Sequence, residues 1–368
     1  MNNPEAKIAV VIGTKAELIK CMPIILELEK QKKSYFFIHT GQHPLVETCK
    51  EFGIKKPDFV LSEEPKKSTK FWSKINNNSI FWFIKMIFKI RKIIRKVNPK
   101  YVIYHGDTMS TAAASIASSK IFNPNKNWKN VHLEAGLRSG SLFEPFPEEI
   151  SRMISDKFSD ILLTVSDSTE KNLEKYKKKK VIIKIGNTIV DSSNYIYKKA
   201  GKNRKKGREN YVLINIHRHE HLNRKENLKK IIEIINSIQT KGIWPLHDNT
   251  EYYLKKYGLF DKINKNKILI TPLKKYEEFI FLLANCKYLI SDGGSIQEES
   301  LVFKKPCLIL RNRTERQEGL LTGLNFLTMD VKEGKKIIKD LEQGVKIKKF
   351  KNPYGKIGVS KKIVERLK

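Results

Sequence analysis

Short runs of β-branched and aromatic residues alternate with helix-length segments along the whole chain. Strands separated in this way are typical of βαβ units, in which neighbouring strands run parallel. The runs begin, in the first half, at Lys7, Ser34, Lys100, Asn130 and Ile161, and in the second half at Tyr211, Gly242, Lys267, Lys287 and Lys305. This pattern predicts an α/β fold made of two doubly wound, Rossmann-like domains with a cleft between them.

The length of the chain supports two domains. Its 368 residues exceed what one hydrophobic core usually organises. The stretch from Lys198 to Glu209 is polar, charged and glycine-containing, as expected of a linker. We therefore expect an N-terminal domain over residues 1–195 and a C-terminal domain over 196–350. The last segment, 351–368, is a candidate for a helix that packs back on the first domain.

The charge balance restricts the class of partner. There are 72 Lys and Arg residues against 39 Asp and Glu, a formal net charge of +33. Such a field favours an anionic partner, which could be a nucleotide diphosphate, an acidic membrane surface or nucleic acid. No recognised nucleic-acid-binding module or basic patch with interleaved aromatic residues accompanies the charge, so nucleic acid is not expected. A lysine-rich solvated surface explains much of the excess.

One apolar stretch, from Ile80 to Val97, carries lysines every three or four residues, which predicts an amphipathic helix and excludes a membrane-spanning one. Its apolar stripe is expected in the core or in a subunit contact; peripheral contact with an anionic membrane is an alternative that we do not expect. No apolar secretory segment precedes the first strand, so a cytoplasmic protein is predicted. The four cysteines lie far apart without metal-ligand spacing, so neither disulfides nor a bound metal is expected.

Polar residues that can do chemistry follow the predicted strands at the point where each strand ends. Because open parallel sheets bind ligands outside the carboxyl ends of their strands, we expect these groups to face a single cleft between the two sheets. They are His105, Gly106 and Asp107, then Glu134, then His217 and Arg218, then His247, and finally the segment from Asp292 to Ser295.

Two features of the sequence suit a nucleotide diphosphate. The segment DGGSIQEE, Asp292 to Glu299, joins a strand to a helix, so its glycines and Ser295 can approach a phosphate at the helix N-terminus. Glu299, one turn into that helix, could accept the ribose hydroxyls. Arginine forks suit phosphate oxygens, and cationic candidates are Arg311, Arg313 and Arg316 after another strand and Lys15 and Lys20 on the first strand-to-helix turn.

Carboxylates are the candidates for acid and base work. The segments HGDT, HLEAGLRS and PFPEEISR supply Asp107, Glu134, Glu148 and Arg152. Carboxylates at strand ends become acid or base catalysts when a cleft desolvates them and neighbouring carboxylates separate their pKa values. Helix capping or structural ion pairing is the alternative for each residue singly, but the group together favours catalysis.

Taken together, the sequence motifs resemble those of a known family. The order and spacing of ten segments are similar to those of the non-hydrolysing UDP-N-acetylglucosamine 2-epimerases, from about Lys7 to beyond Leu327. As a set these segments are highly specific: GTKAELIK, HTGQH, HGDT, HLEAGLRS, PFPEEISR, GNTIVD, NIHRHE, PLHDN, SDGGSIQEES and RTERQEG.

The resemblance implies a GT-B-like pair of domains, a homodimer, and conversion of UDP-N-acetylglucosamine to UDP-N-acetylmannosamine for surface polysaccharide, without a cofactor. It places the catalytic role on Asp107, Glu134, Glu148 and His217. It places UDP contacts on Gly293, Gly294, Ser295, Glu299 and Arg316, with Lys20 and Phe279 beside them; Lys15 and Arg152 complete the substrate-binding candidates.

The sequence departs from the family pattern at three places. GTKAE stands where the family has GTRPE, so the point charge of Lys15 replaces a planar arginine fork. DGGS replaces DSGG, which moves the hydroxyl along the loop. Leu45 replaces a glutamine of the family's regulatory site, although Gln42, Arg218 and His247 match that site. These changes predict weakened activation by substrate.

Two other enzyme readings stay open at this point. A hydrolysing 2-epimerase, which releases N-acetylmannosamine and UDP, would use the same residues. A GT-B glycosyltransferase would use the same phosphate loop and ribose-binding glutamate, but it has no need of the set Asp107, Glu134 and Glu148.

Overall fold

A computed structural model describes residues 8–62, 77–141, 147–201, 210–344 and 350–367. Most of the expected linker, and Pro145 and Phe146 of the PFPEEISR segment, lie outside these residues. The chain forms two compact units, Met1–Ser192 with Tyr354–Lys368 and Ser193–Pro353, here called the first and second domains. Within the described residues no helix combines the length and the apolarity needed to cross a membrane.

The first domain is a parallel seven-stranded sheet with helices between its strands. The strand order is β3-β2-β1-β4-β5-β6-β7, so the order reverses between β1 and β4. The elements, in chain order, are β1 (Ile8–Ile12), α1 (Lys15–Lys30), β2 (Tyr35–His39), α2 (Val46–Phe52), β3 (Phe59–Val60), α3 (Asn77–Val97), β4 (Tyr101–His105), α4 (Met109–Ala117), β5 (Lys129–Ala135), α5 (Glu148–Phe158), β6 (Ile161–Thr164), α6 (Asp167–Lys171), β7 (Val181–Lys184) and α7 (Ile189–Ala200), which crosses the division between domains.

The second domain is a parallel six-stranded sheet of order β10-β9-β8-β11-β12-β13, which reverses between β8 and β11. Its elements are β8 (Tyr211–Asn215), α8 (His219–Leu222), α9 (Lys225–Ile235), β9 (Lys241–Leu246), α10 (Asp248–Lys256), β10 (Ile268–Pro272), α11 (Tyr276–Asn285), β11 (Tyr288–Ser291), α12 (Ser295–Val302), β12 (Cys307–Ile309), α13 (Gln317–Leu320), β13 (Asn325–Leu327) and α14 (Val331–Gln343).

All the strands predicted from the sequence are present, and the structure adds β3, β7 and β13. Each added strand forms an edge of its sheet. An edge strand is paired on one side only and is less buried, so its sequence carries a weaker apolar signal. Val60 and Val181, for example, are more than half exposed.

The C-terminal segment belongs to the first domain. Helix α15 (Val359–Arg366) follows the second domain in the chain and packs on α1, and Lys33, just beyond the end of α1, donates from Nζ to the Val364 carbonyl at 2.9 Å. The Asp191 carboxylate accepts from the backbone N–H groups of Gly358 and Ser360, each at 2.7 Å. The Asn187 N–H donates to the Tyr354 carbonyl at 2.9 Å.

Helix α3 divides its apolar residues between two environments. Met86, Ile90 and Ile94 are fully buried and join the core cluster of the first domain, beside the alanine-rich α4. A second row on the same helix is exposed: Ile80, Phe81, Ile84 and Phe88. The expected burial of the stripe in the core is thus confirmed for one row, and the other row remains on the surface of the isolated chain.

Candidate active site

The predicted carboxylates of the first domain lie at the centre of its sheet. Asp107 follows β4 and Glu134 lies near the end of β5, and these two strands are neighbours beside the reversal at β1. Such a reversal opens a crevice at the carboxyl ends of the strands, where doubly wound folds bind ligands. The fold therefore brings together two groups that are far apart in the sequence.

Glu134 has a strained backbone. Its φ is +62°, a left-handed value that is uncommon for a residue other than glycine, and the pairing of β5 with β6 shifts register between Leu133 and Ala135. This bulge turns the side chain of Glu134 to where Lys20 Nζ and Asn187 Nδ2 donate to Oε1, at 2.5 and 3.0 Å. Backbone strain of this kind concentrates at functional sites.

The prediction that Lys20 lies on the first strand-to-helix turn is wrong. Helix α1 begins at Lys15, so Lys20 lies in its second turn, and its side chain is buried against Glu134. The reason is the capping box of Thr14 and Glu17, which starts the helix directly after β1. Lys15, the first residue of the helix, is half-buried, and its N–H faces His43 Nδ1 at 3.5 Å.

Asp107 belongs to a second ionic group. Arg152, on α5, is completely buried and donates through Nη2 to the Asp107 carboxylate and through Nη1 to Glu149 Oε2, the latter at 2.5 Å. A guanidinium held between two carboxylates is fixed in place by both of them. Arg152 thus acts in this structure as a partner of Asp107. Glu148 is half-buried and begins α5, next to Glu149.

A buried carboxylate that the sequence reading did not single out joins two loops of this site. Glu17 Oε2 accepts from the N–H groups of Gly13 and Thr14, each at 2.7 Å. Its Oε1 accepts from the hydroxyls of Thr108 and Thr111 at 2.6 and 2.7 Å. Burial raises the pKa of the Glu17 carboxyl, although these hydrogen bonds act in the opposite direction. Glu17 therefore ties the loop after β1 to the loop that carries Asp107.

Two positions that the resemblance assigns to a regulatory site, Gln42 and Leu45, lie in the first domain. Gln42 is buried, and its Oε1 accepts from the Ser110 hydroxyl at 2.6 Å. Leu45 precedes α2 and is completely buried. An apolar side chain at this position is thus part of the core in this structure.

In the second domain the predicted phosphate loop lies at the reversal between β8 and β11. Gly293 and Gly294 separate β11 from α12, which begins at Ser295. A Cβ atom on Gly293 would stand 3.2 Å from His217 Cε1, and one on Gly294 would stand 3.1 Å from Arg316 Nη1. Only glycine fits this approach without displacing those side chains, and Ser295 is half-exposed beside them.

His217 lies directly after β8 with a defined tautomer. Its Nδ1 faces Asn215 Oδ1 at 3.0 Å, and because that oxygen accepts, the ring proton of the neutral form lies on Nδ1 and Nε2 keeps its lone pair. The pKa of His217 is lowered to about 4 by desolvation and by the Arg218 cation. His247 stacks on this ring, with centroids 4.8 Å apart, and its pKa is also lowered to about 4 by desolvation and by His217. Both rings are therefore neutral at pH 7.

Three arginines of the second domain are paired with carboxylates. Arg316 is buried, donates to Glu315 and lies 3.1 Å from Glu298 Oε1. Arg311 contacts the other oxygen of Glu315 at 3.1 Å, and Arg218 pairs with Glu220 at 2.9 Å. Pairing fixes these guanidinium groups beside the glycine loop and reduces the positive charge they present there. Arg313 is exposed.

The predicted ribose-binding residue, Glu299, is hydrogen-bonded to a tyrosine. Glu299 is buried in α12, and Tyr276 donates from its hydroxyl to Glu299 Oε1 at 2.7 Å. Burial and the neighbouring Glu299 raise the pKa of Tyr276 well above its ordinary value, so the phenol remains a donor. Phe279, on the first turns of α11, is half-buried and packs against a core cluster of this domain.

Several residues of the site escape prediction from the sequence. Asn187 follows β7, a strand that was not predicted, so its position at a strand end was hidden. Glu17 could have been found from the Thr-x-x-Glu pattern of a capping box. Glu149 lies within the PFPEEISR motif and Tyr276 lies in none, but only the fold shows which side chains they contact.

Two doubly wound domains with carboxylates at one reversal and a glycine loop at the other are typical of enzymes that act on nucleotides. Comparison with known proteins gives the family. The family model described as UDP-N-acetylglucosamine 2-epimerase matches residues 26–368, and the chain belongs to this family.

Individual relatives cover nearly the whole chain. The UDP-N-acetylglucosamine 2-epimerase of Methanocaldococcus jannaschii is 34% identical, over 98% of each protein. A crystal structure of the epimerase from that organism, in complex with UDP-GlcNAc and UDP, superposes with a TM-score of 0.81 at 32% identity, over 98% of this chain and 99% of the other. The UDP-2,3-diacetamido-2,3-dideoxy-D-glucuronate 2-epimerase of Pseudomonas aeruginosa is 30% identical, over 87% of this chain and 88% of that protein.

Proposed function

We propose that the protein interconverts UDP-N-acetylglucosamine and UDP-N-acetylmannosamine without net hydrolysis. The observation that carries the proposal is the pair Glu134 and Asp107, two carboxylates at the ends of adjacent strands beside the reversal of the first sheet, each paired with a cation. Membership of the epimerase family supports it. The glycosyltransferase alternative is set aside, since this family is one of epimerases.

The proposed chemistry explains why several acid and base groups are needed. The C2 proton of the sugar is not next to a carbonyl, so its direct removal faces a very high barrier. Expulsion of UDP through an oxocarbenium-like state and loss of the C2 proton give a glucal. UDP then returns to C1 while a proton is delivered to the opposite face of C2. This scheme requires acid and base groups near both faces, and Asp107, Glu134, Glu148 and His217 share those roles.

The second domain is proposed to hold UDP. The N–H groups at the start of α12 and the Ser295 hydroxyl are suited to the diphosphate, and the buried carboxylate of Glu299 in the same helix is suited to the ribose hydroxyls. Arg316, packed against Gly294, stabilises the charge that develops on the departing diphosphate. Lys15, Lys20 and Phe279 remain substrate-binding proposals, with Lys20 acting on the substrate together with Glu134.

Proton NMR of the purified protein with UDP-N-acetylglucosamine in D2O tests the proposal. Because elimination removes the C2 proton and solvent returns one, we expect UDP-N-acetylmannosamine to form with deuterium at C2. Product with a fully protonated C2 would exclude the elimination route.

The same experiment separates the alternatives. A hydrolysing enzyme would give free N-acetylmannosamine and UDP, because water captures the intermediate. The Pseudomonas relative acts, by its name, on a diacetamido uronate, so that nucleotide sugar is the second substrate to test. Turnover of the second substrate alone would redirect the proposal to that sugar class.

We also propose that the enzyme is a homodimer, as the resemblance implies. The exposed row Ile80, Phe81, Ile84 and Phe88 on α3 is an apolar surface that a second copy would cover. Light scattering after size exclusion should give twice the chain mass. Phe81→Glu should halve that mass, whereas Leu321→Glu, at an exposed position of the second domain, should not.

A further inference from the structure

His132 has acceptors at both of its ring nitrogens. It lies on β5 and is completely buried. Its Nδ1 is 2.8 Å from Asp156 Oδ1, and its Nε2 is 2.8 Å from the carbonyl oxygen of Gly106. A carbonyl oxygen can only accept, so the Nε2 atom must carry a proton to make the second bond.

The partner on the other side is also an acceptor. Burial acts to raise the pKa of Asp156, but the hydrogen bond and charge of His132, together with Arg138, hold it below its ordinary value. Arg138 Nη2 contacts Asp156 Oδ2 at 2.6 Å, so a guanidinium favours the ionised carboxylate on the side away from His132. An ionised carboxylate only accepts, and Nδ1 therefore carries a proton as well. With both nitrogens donating, the ring is an imidazolium.

The bond to Gly106 acts on the turn that presents Asp107. Gly106 has a left-handed φ of +76°, and its N–H donates to the Leu133 carbonyl at 3.0 Å. Its carbonyl accepts from His132. Both backbone polar groups of Gly106 are thus bonded to β5, and the next residue in the chain is Asp107.

The residue that follows Asp107 in this turn is anchored by a separate hydrogen bond. Thr108, the residue after Asp107, donates its hydroxyl to the buried Glu17. Asp107 is therefore placed between two anchored neighbours, and the anchor on the β5 side is a charged hydrogen bond, which is stronger than a neutral one. Small displacements of a reacting group lower the rate steeply, so this placement affects catalysis.

We propose that His132 is a positioning residue: it donates through both ring nitrogens and, through the Gly106 carbonyl, fixes Asp107 for proton transfer. The role in catalysis rests on the proposed function, whereas the double donation does not. His132 need not contact the substrate.

The first test is the state of the ring in the free enzyme. In protein labelled with ¹⁵N at histidine, with the His132 signals assigned by their loss in His132→Asn, both ring nitrogens should have shifts of protonated nitrogen at pH 7.5. A shift of unprotonated nitrogen at either position would overturn the double donation. This measurement does not depend on activity, so it reports the protonation of the ring even if the proposed reaction is not observed.

The second test separates positioning from general stability. His132→Asn should lower kcat by about 10- to 100-fold while KM and the Kd for UDP change less than about twofold, because Asp107 is displaced and the nucleotide site is not. Trp128→Phe is the matched control: it removes a buried bond of 2.8 Å from Nε1 to the Ser118 carbonyl in the same domain, away from the turn. It should lower the unfolding temperature and leave kcat unchanged. A kcat for His132→Asn within about twofold of wild type would overturn the positioning role.

Asp156→Asn provides a second variant that keeps the histidine. A neutral ring with its proton on Nε2 can still donate to Gly106 and can accept at Nδ1 from the new amide. We expect Nδ1 to show the shift of unprotonated nitrogen and kcat to fall less than in His132→Asn. An equal or larger loss of kcat, with the Nε2 proton retained, would show that the Gly106 bond does not position Asp107.

Discussion

Lys20 Nζ lies 2.5 Å from Glu134 Oε1, and both side chains are almost completely buried. Removing one partner of a buried ion pair leaves the other charge without compensation, which typically costs about 3–5 kcal/mol. Lys20→Met should therefore lower the unfolding temperature and also lower kcat, while the Kd for UDP changes less. Calorimetry with UDP measures the last point. Lys30→Met, at an exposed position in the last turn of the same helix, should change none of the three quantities. A large loss of UDP affinity with normal kcat would assign Lys20 to UDP rather than to Glu134.

Neutral isosteres test the two proposed catalytic carboxylates. Glu134→Gln and Asp107→Asn should each lower kcat by at least about 10²-fold, the low end of general acid–base contributions. Steady-state kinetics measure the loss, and titration with UDP should give a Kd close to that of wild type. Glu47→Gln, on the exposed side of α2, is the control. Near-normal turnover in either variant would remove that residue from the catalytic set.

The stacked pair His217 and His247 predicts a dependence of stability on pH. Both pKa values are lowered from 6.5 to about 4 in the folded protein, so the unfolded chain binds more protons between these limits. Above pH 6.5 the pair does not change the free energy of unfolding, because both rings are neutral in the folded and unfolded states. As the pH falls towards 4, the pair lowers the free energy of unfolding of the second domain. Thermal unfolding measured from pH 7.5 to 4.5 should show a smaller loss in His247→Asn than in wild type. Equal losses would mean that the rings titrate normally, and NMR titration would report midpoints for the coupled pair.

Leu45 predicts a change in regulation. In the family a second UDP-N-acetylglucosamine activates the enzyme, and a coupling of this kind is typically worth about 1–3 kcal/mol. The loss of one neutral hydrogen bond costs about 0.5–1.5 kcal/mol, which is comparable. We expect a Hill coefficient near one, and reverse epimerisation of pure UDP-N-acetylmannosamine without a lag. Sigmoidal initial rates, with a reverse reaction that waits for added UDP-N-acetylglucosamine, would show that Gln42, Arg218 and His247 suffice.

The sequence predicts the structure where the apolar pattern of a strand matches its burial in the sheet. The central strands are buried on both faces and leave long β-branched runs, and the groups after them, such as Asp107 and Gly293, must lie at the carboxyl edge of a parallel sheet. The order and spacing of the motifs also indicate the family to which the chain belongs. This reasoning predicted both sheets and the positions of Asp107, Glu134 and Gly293 at strand ends, while the roles of these residues stay predictions.

The remaining features depend on tertiary contacts. Lys20 reads as a surface charge because lysines are abundant, and only the packing of α1 on the sheet shows that it meets Glu134. The positive φ of Glu134 results from a one-residue bulge, which has no sequence signature here. Asn187 reaches Glu134 because β7 is present, and a short edge strand with a half-exposed face is the hardest kind to recognise.

The return of the C-terminal segment to the first domain sets an order for biosynthesis. Asn187, which donates to Glu134, is itself held by the carbonyl of Tyr354, and α15 packs on α1. While the ribosome is still translating the segment after residue 353, the second domain is complete but these supports are not yet made. The second domain is therefore synthesised completely before the first domain, whose final helix is translated last. A premature stop codon shortly before Tyr354 would spare the glycine loop yet leave the proposed catalytic carboxylate without its scaffold.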